Sequence, residues 1–190
     1  MKTLVEPEDI QRGLRRVAGE IVERHRGLEN LLLVGIRRGG VSVAEALAQL
    51  IAEHEKTVAS AVPVGTVDIS LYRDDSATAL PNPRIGPSEL PIHLEKRRVI
   101  LCDDVLFTGR TVRAALDALL DYGRPASVEL AVLLDRGGRE LPIQADYLVR
   151  NINLESGQRV DVVLESRAPQ RWRALSVPVG SPSIPPPPID

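Results

Sequence analysis

Residues 97–120 read "RRVILCDDVLFTGRTVRAALDALL", and the order of residue types within them decides the fold. The run 97–102 turns apolar after its two arginines, as a strand buried on both faces should. It ends on two adjacent carboxylates, Asp103 and Asp104, and a loop carrying Thr108, Gly109, Arg110 and Thr111. Val112, Ala115, Leu116, Leu119 and Leu120 then repeat at the spacing of one helix face until Gly123 and Pro125 stop it. Strand, polar loop and helix in this order put the loop beyond the carboxyl end of a sheet. There helix N-termini present unpaired N–H groups and a field that favours anions.

The pattern occurs once more. "LLLVGI" (31–36) is a short apolar run, followed by "RRGG" (37–40) and by Ser42 with Glu45 three residues on, a capping box for a helix whose apolar face is Val43, Ala46, Leu47, Leu50 and Ile51. Two such units point to one shared cleft. Around them, residues 8–26 carry Ile10, Leu14, Val17, Ile21 and Val22 at helical spacing, while 67–72 alternates like a half-buried strand. Strands are also expected over 128–134 and 145–149, the former followed by a turn over 135–142. Alternating buried strands and helices predict an α/β fold with a mostly parallel central sheet flanked by helices.

Two segments stand apart. Residues 73–91, with Pro81, Pro83, Pro87 and Pro91 and no periodicity, read as a mobile arm. Residues 168–190, ending "SPSIPPPPID", read as a proline-rich flexible tail, which leaves 1–167 as one domain.

Composition sets limits. A formal net charge of -2 gives no overall electrostatic footprint for nucleic acid, so any such partner must use a local patch. Lys2, Lys56 and Lys96 are the only lysines among 24 basic residues, which reflects either phosphate recognition by arginine or codon bias. One cysteine, Cys102 in an apolar run, excludes a disulfide framework and fits a reducing, cytoplasmic setting. No apolar run approaches a membrane-spanning length, and the first residues do not resemble a secretory leader.

The chemistry follows from charge. Gly109 permits close backbone approach, and the Thr108 and Thr111 hydroxyls with Arg110 suit a phosphate monoester. A phosphate cannot also be the partner of Asp103 and Asp104, so the acids need something neutral or cationic. Vicinal ribose hydroxyls with magnesium nearby satisfy both demands, at roughly 1.5–3 kcal/mol for each charge-assisted hydrogen bond. Capping of a helix and turn would account for one carboxylate but hardly for two. For "RRGG" alone a solvated turn stands level with an anion-binding loop.

"VILCDDVLFTGRT" resembles the phosphoribosyl pyrophosphate (PRPP) signature of type I phosphoribosyltransferases. "DISLYRDD" (68–75) and "VLLDRGGRELPIQADY" (132–147) narrow the resemblance to the PyrR family, bifunctional pyrimidine-operon attenuators and uracil phosphoribosyltransferases, over residues 8 to about 165. The resemblance implies that fold, with a mobile β-arm and a small hood. It implies conversion of uracil and PRPP to UMP and diphosphate with magnesium, in the cytoplasm, by a homodimer or higher oligomer that also binds pyr leader mRNA in response to UMP.

By position, Asp103 and Asp104 take the ribose hydroxyls and the magnesium indirectly, and the stretch Val105, Leu106, Phe107, Thr108, Gly109, Arg110 and Thr111 binds PRPP or UMP. Arg37, Arg38, Gly39 and Gly40 receive diphosphate, and Arg73 arrives catalytically on the arm. Arg136 addresses the base, with a salt bridge to Asp135 or Glu140 as its other reading. Arg15, Arg16, Arg38, Arg139 and Arg150 form the RNA face, or else an unrelated solvated one. Arg15, Gly19 and Gly138 stand where the family has Thr, His and His, and Gln144 stands for an arginine. Phosphate contacts could therefore persist where base-reading contacts do not.

Rival readings fail on missing parts. A receiver domain needs a late lysine, and none follows Lys96; a P-loop hydrolase needs a glycine-rich run ending in Gly-Lys-Ser/Thr. A phosphoribosyltransferase for another base remains open.

Overall fold

A computed structural model describes residues 2–37, 39–70, 72, 88–164 and 169–182. Its elements run β1 (Lys2–Val5), α1 (Pro7–His25), β2 (Leu31–Ile36), α2 (Gly39–His54), β3 (Val64–Val67), β4 (Arg98–Leu106), α3 (Arg110–Leu120), β5 (Ser127–Asp135), β6 (Tyr147–Asn151), β7 (Gln158–Val163) and β8 (Arg173–Pro178). Five strands form a sheet in the order β3-β2-β4-β5-β6, every pair parallel. The other three form a small antiparallel sheet in the order β1-β8-β7, in the place of the expected hood.

Side-chain alternation builds a core on each face of the large sheet. Leu31, Leu33, Ile100, Cys102, Ala131 and Leu133 pack under α1 and α2 with Ile10, Leu14, Val43 and Leu47. Leu32, Val34, Val99, Leu101, Leu130 and Val132 pack under α3 with Val112, Ala115 and Leu119. Helix α1 starts on Pro7 with Glu8 and Asp9 in its first turn, and ends on Arg26 at φ 52, whose amide donates to the Val22 carbonyl. Those charges complement the helix dipole. At the amino ends of the strands, the Tyr147 hydroxyl donates to Glu129 Oε2 (2.7 Å), which also meets His25 Nε2 at 2.9 Å, tying α1 to β5 and β6.

The structure corrects three expectations. The strand expected over 67–72 instead ends at Val67, because Asp68 Oδ1 accepts the Ser70 amide (2.8 Å) and closes a turn. Ser42 does not cap α2, which begins at Gly39; the reason is the glycine packing described below. Residues 169–182, expected in a flexible tail, are ordered: Trp172 is fully buried in the α1 core and β8 is the central strand of the small sheet. The prolines that suggested a tail fall at its margins, Pro169 in a 3-10 turn and Pro178 at the end of β8. The domain expected to close at 167 therefore runs on through β8, while 183–190 lie outside the described residues.

Candidate functional site

The strand order reverses between β2 and β4: β3 lies to one side of β2, and β4, β5 and β6 to the other. Carboxyl ends flanking such a reversal diverge into a crevice, the usual ligand site of open parallel sheets. Both sequence units open there.

The turn from β2 to α2 is made by glycines. A Cβ on Gly40 would lie 2.1 Å from the Cys102 carbonyl oxygen, and one on Gly39 would lie 2.4 Å from Asp104 Oδ2. The start of α2 thus rests directly on the end of β4, which is why the helix begins two residues into "RRGG". Arg37 donates its amide to the Val67 carbonyl (3.0 Å), and its side-chain Nε is buried without a hydrogen-bond partner. Arg38 lies outside the described residues.

Strand β4 is longer than the sequence suggested, because Asp103, Val105 and Leu106 stay paired with Val132, Leu134 and Asp135 of β5. The acids therefore sit on rigid strand rather than loop. Asp103 is only 6% exposed, and its Oδ1 accepts the Asp104 amide at 3.0 Å. Burial pushes the Asp104 carboxyl above the ordinary range, hydrogen bonding with Asp103 and the backbone pulls the other way, and the negative charge of Asp161 on β7 adds to the rise. A half-buried acid held this way gains from a hydroxyl that donates to it or a cation that neutralises it.

Beyond the acids, Val105 and Leu106 turn into the two cores, so only their backbone faces the cleft. Gly109 caps α3 at φ 91, and Thr108 Oγ1 accepts the Arg110 amide at 3.3 Å. Thr111 stands in the first turn of α3, where amides lack intrahelical partners. The Arg110 side chain leans outward to Glu140 (Nε to Oε2, 2.6 Å). This loop is braced by the one after β5: the Thr108 carbonyl accepts the amides of Glu140 (3.0 Å) and Leu141 (3.1 Å), and the Leu106 carbonyl accepts that of Arg136 (3.1 Å).

Arg136 is not in the salt bridge considered for it. Asp135 pairs with Arg139 and Glu140 with Arg110. Its guanidinium carbon instead lies 3.9 Å from the centroid of the Phe107 ring, its Nε is buried without a hydrogen-bond partner, and burial lowers its pKa. Arg73 and the rest of the arm over 73–87 lie outside the described residues; at the arm's end Glu89 pairs antiparallel with Thr66.

The arginines expected on an RNA face fall in three places. Arg16 and Arg150 flank the joint of α1 with β6, Arg16 donating to the Leu148 (2.8 Å) and Val149 (3.0 Å) carbonyls and Arg150 pairing with Asp9 (2.9 Å). Arg15 lines a groove toward α2 with Gln11, Gln49 and Glu53. Arg139 is turned inward, its side chain 15% exposed, donating to the Ile143 and Phe107 carbonyls (2.8 Å each) and pairing with Asp135.

Sequence reasoning missed the parts that depend on contacts. Nothing local in "DRGGRE" separates Arg136 from Arg139, and Thr66, whose buried Oγ1 has no partner, carried no signal. Asp161 was findable, since Arg159, Val160, Asp161 and Val162 alternate as in a half-buried strand. Among the described residues no group of three or more His, Cys, Asp or Glu could hold a metal ion, and no helix is long and apolar enough to cross a membrane.

Residues 2–164 match the family model of the phosphoribosyl transferase domain. The chain is 47% identical over 163 residues to the bifunctional protein PyrR of Geobacter sulfurreducens, covering 86% of this chain and 90% of that protein. It is 53% identical over 163 residues to the bifunctional protein PyrR of Herpetosiphon aurantiacus, covering 86% and 89%. Among solved structures it resembles the hypoxanthine phosphoribosyltransferase of Trypanosoma cruzi, with a TM-score of 0.67 over 94% of this chain and 97% of that one, at 23% identity. At that identity the likeness establishes the fold alone.

Proposed function

Because the chain belongs to the PyrR family of phosphoribosyl transferases, we propose that it makes UMP and diphosphate from uracil and PRPP and binds pyr leader mRNA in response to UMP. The observation that carries the enzymatic part is the acid pair at the end of β4, set beside the Gly109-capped start of α3 at the strand-order reversal. The 5′-phosphate lies over the amides and hydroxyls of residues 108–111, and the ribose diol on Asp103 and Asp104. Diphosphate lies at Arg37, Arg38, Gly39 and Gly40, with Arg73 completing the site from the arm and Arg136 facing the base.

The reaction forms the bond from uracil N1 to ribose C1 as the C1–oxygen bond to diphosphate breaks, and the N1 proton leaves to water. Positive charge gathers on the sugar and negative charge on the leaving group. Fixed donors for the anion and carboxylates beside the sugar stabilise both without reorganisation. Magnesium fits this site as a ligand-borne ion. Two carboxylates, with no group of three or more such ligands among the described residues, would suit a cation that takes most of its ligands from substrate phosphates and water. When bound it neutralises diphosphate charge.

For RNA, Arg16 and Arg150 at the α1–β6 joint and, apart from them, Arg15 in the groove toward α2 contact phosphate; Arg139 braces the loop from within. The protein acts in the cytoplasm as a homodimer or larger homo-oligomer. Purified chain incubated with labelled uracil, PRPP and magnesium forms UMP, and replacing uracil by hypoxanthine or guanine does not give a nucleotide. No UMP at any pH sinks the enzymatic reading, while a purine nucleotide redirects it to another base. Gel shifts with pyr leader RNA across a salt series show tighter binding with UMP; retention indifferent to UMP and to RNA sequence sinks the regulatory reading.

A further inference from the structure

We propose that Phe107 is a positioning residue for base recognition, its ring holding the Arg136 guanidinium flat at the edge of the cleft so that the arginine donates to a carbonyl oxygen of the base. The inference rests on the reading of Arg136 as the residue that faces the base.

Three observations carry it. The guanidinium carbon stands 3.9 Å from the ring centroid, close for a cation over an aromatic face, although the ring is 43% exposed. Gly138 borders the ring at Cε2: at φ +77, a Cβ there would stand 2.6 Å from that atom, so only glycine lets the ring lie where it does. Both backbones are fixed, since Arg136 donates its amide to the Leu106 carbonyl and Arg139 donates to the Phe107 carbonyl.

An aromatic face does here what a carboxylate would not. A carboxylate would orient the guanidinium by taking two of its five N–H donors. A ring attracts the cation through its face and takes none, so the in-plane donors stay available to a ligand. The neighbouring acids are already committed, Asp135 to Arg139 and Glu140 to Arg110. Donors aimed at a pyrimidine edge favour the carbonyls of uracil over the amino group of cytosine, because two donors facing each other leave both unsatisfied.

The test compares UMP with ribose 5-phosphate, which lacks the base, by calorimetry on the full chain carrying Phe107→Leu, Phe107→Tyr, Arg136→Gln or Phe107→Leu with Arg136→Gln. Phe107→Leu weakens UMP about fivefold, as loss of a partly desolvated cation–π contact does, with little effect on ribose 5-phosphate. Phe107→Tyr restores UMP affinity, and the double variant binds UMP no more weakly than Arg136→Gln alone. Unchanged UMP affinity in Phe107→Leu, an equal loss for both ligands, or additive losses in the double variant overturns the positioning role. If Arg136→Gln binds UMP like the parent chain, the base-facing reading of Arg136 fails first, and the proposal with it.

Discussion

The two loops that meet at the strand-order reversal are held by opposite means. The β2–α2 turn is fixed by what its residues lack: without side chains, Gly39 and Gly40 let a helix rest on the end of β4. The β4–α3 loop is fixed by what its neighbours give, namely amides from Arg136, Glu140 and Leu141 and the inward side chain of Arg139. On the proposed assignment, the leaving diphosphate rests on the turn built from glycine backbone. On the same assignment, the sugar phosphate and base rest on the loop braced from β5.

The largest effect should come from the acids that both loops share. Changing Asp103 and Asp104 together to Asn removes two charge-assisted bonds, and kcat/KM for uracil should fall about 10²- to 10⁴-fold. Steady-state kinetics reads this, and unchanged turnover would break the shared-site picture. Next comes Gly40→Ala, whose methyl has nowhere to go beside the Cys102 carbonyl; it should cost about 3 kcal/mol and lower Tm by roughly 10 °C. Arg139→Ala leaves the Phe107 and Ile143 carbonyls without that donor and should cost about 2 kcal/mol. In hydrogen exchange the amides of Glu140 and Leu141 should lose protection while those of α2 keep theirs; uniform loss would mean that the loops are not separately held.

The smallest effect concerns Asp104 itself. Asp104 has a raised pKa in the folded chain through burial, so the folded state binds its proton more tightly than the unfolded state does. Its contribution to stability is full in acid, below the unfolded value, and is lost as pH rises through the folded one. Asp104→Asn should therefore raise Tm at neutral pH, with the gain vanishing in acid, although it damages turnover. Asp135 has the opposite sign: burial alone would raise it, but Arg139 and the Gly137 amide hold it below the usual range. Its contribution should be present above the unfolded carboxylate value and fade as pH falls through the folded one. Thermal melts across pH separate the two.

Most of this was legible because the strongest signals are local. The runs at 31–36 and 128–134 can only be strands buried on both faces, and the α1 and α3 stripes fix their helices. The shift of β3 came from one side chain, Asp68, whose turn outcompetes the alternation beyond it. The late start expected for α2 came from weighing Ser42 and Glu45 above glycines whose partner, the end of β4, lies more than sixty residues away. Strand β8 was hidden because Pro169 precedes it and Pro178 is its last residue, so the prolines mark its margins and not its interior. The division of labour between Arg136 and Arg139 depends on Phe107 in another loop, and no spacing rule reaches that far.

The small sheet joins parts of the chain far apart in sequence, with β1 beside β8 and Trp172 in one core with Ile10 and Leu14. During synthesis, the first helix therefore leaves the ribosome long before its cover exists. Its apolar stripe must wait in water, or in a chaperone's keeping, until Trp172 has been made. Halting translation just short of Trp172 should leave a nascent chain with its parallel sheet encoded in full and its first helix still protease-sensitive.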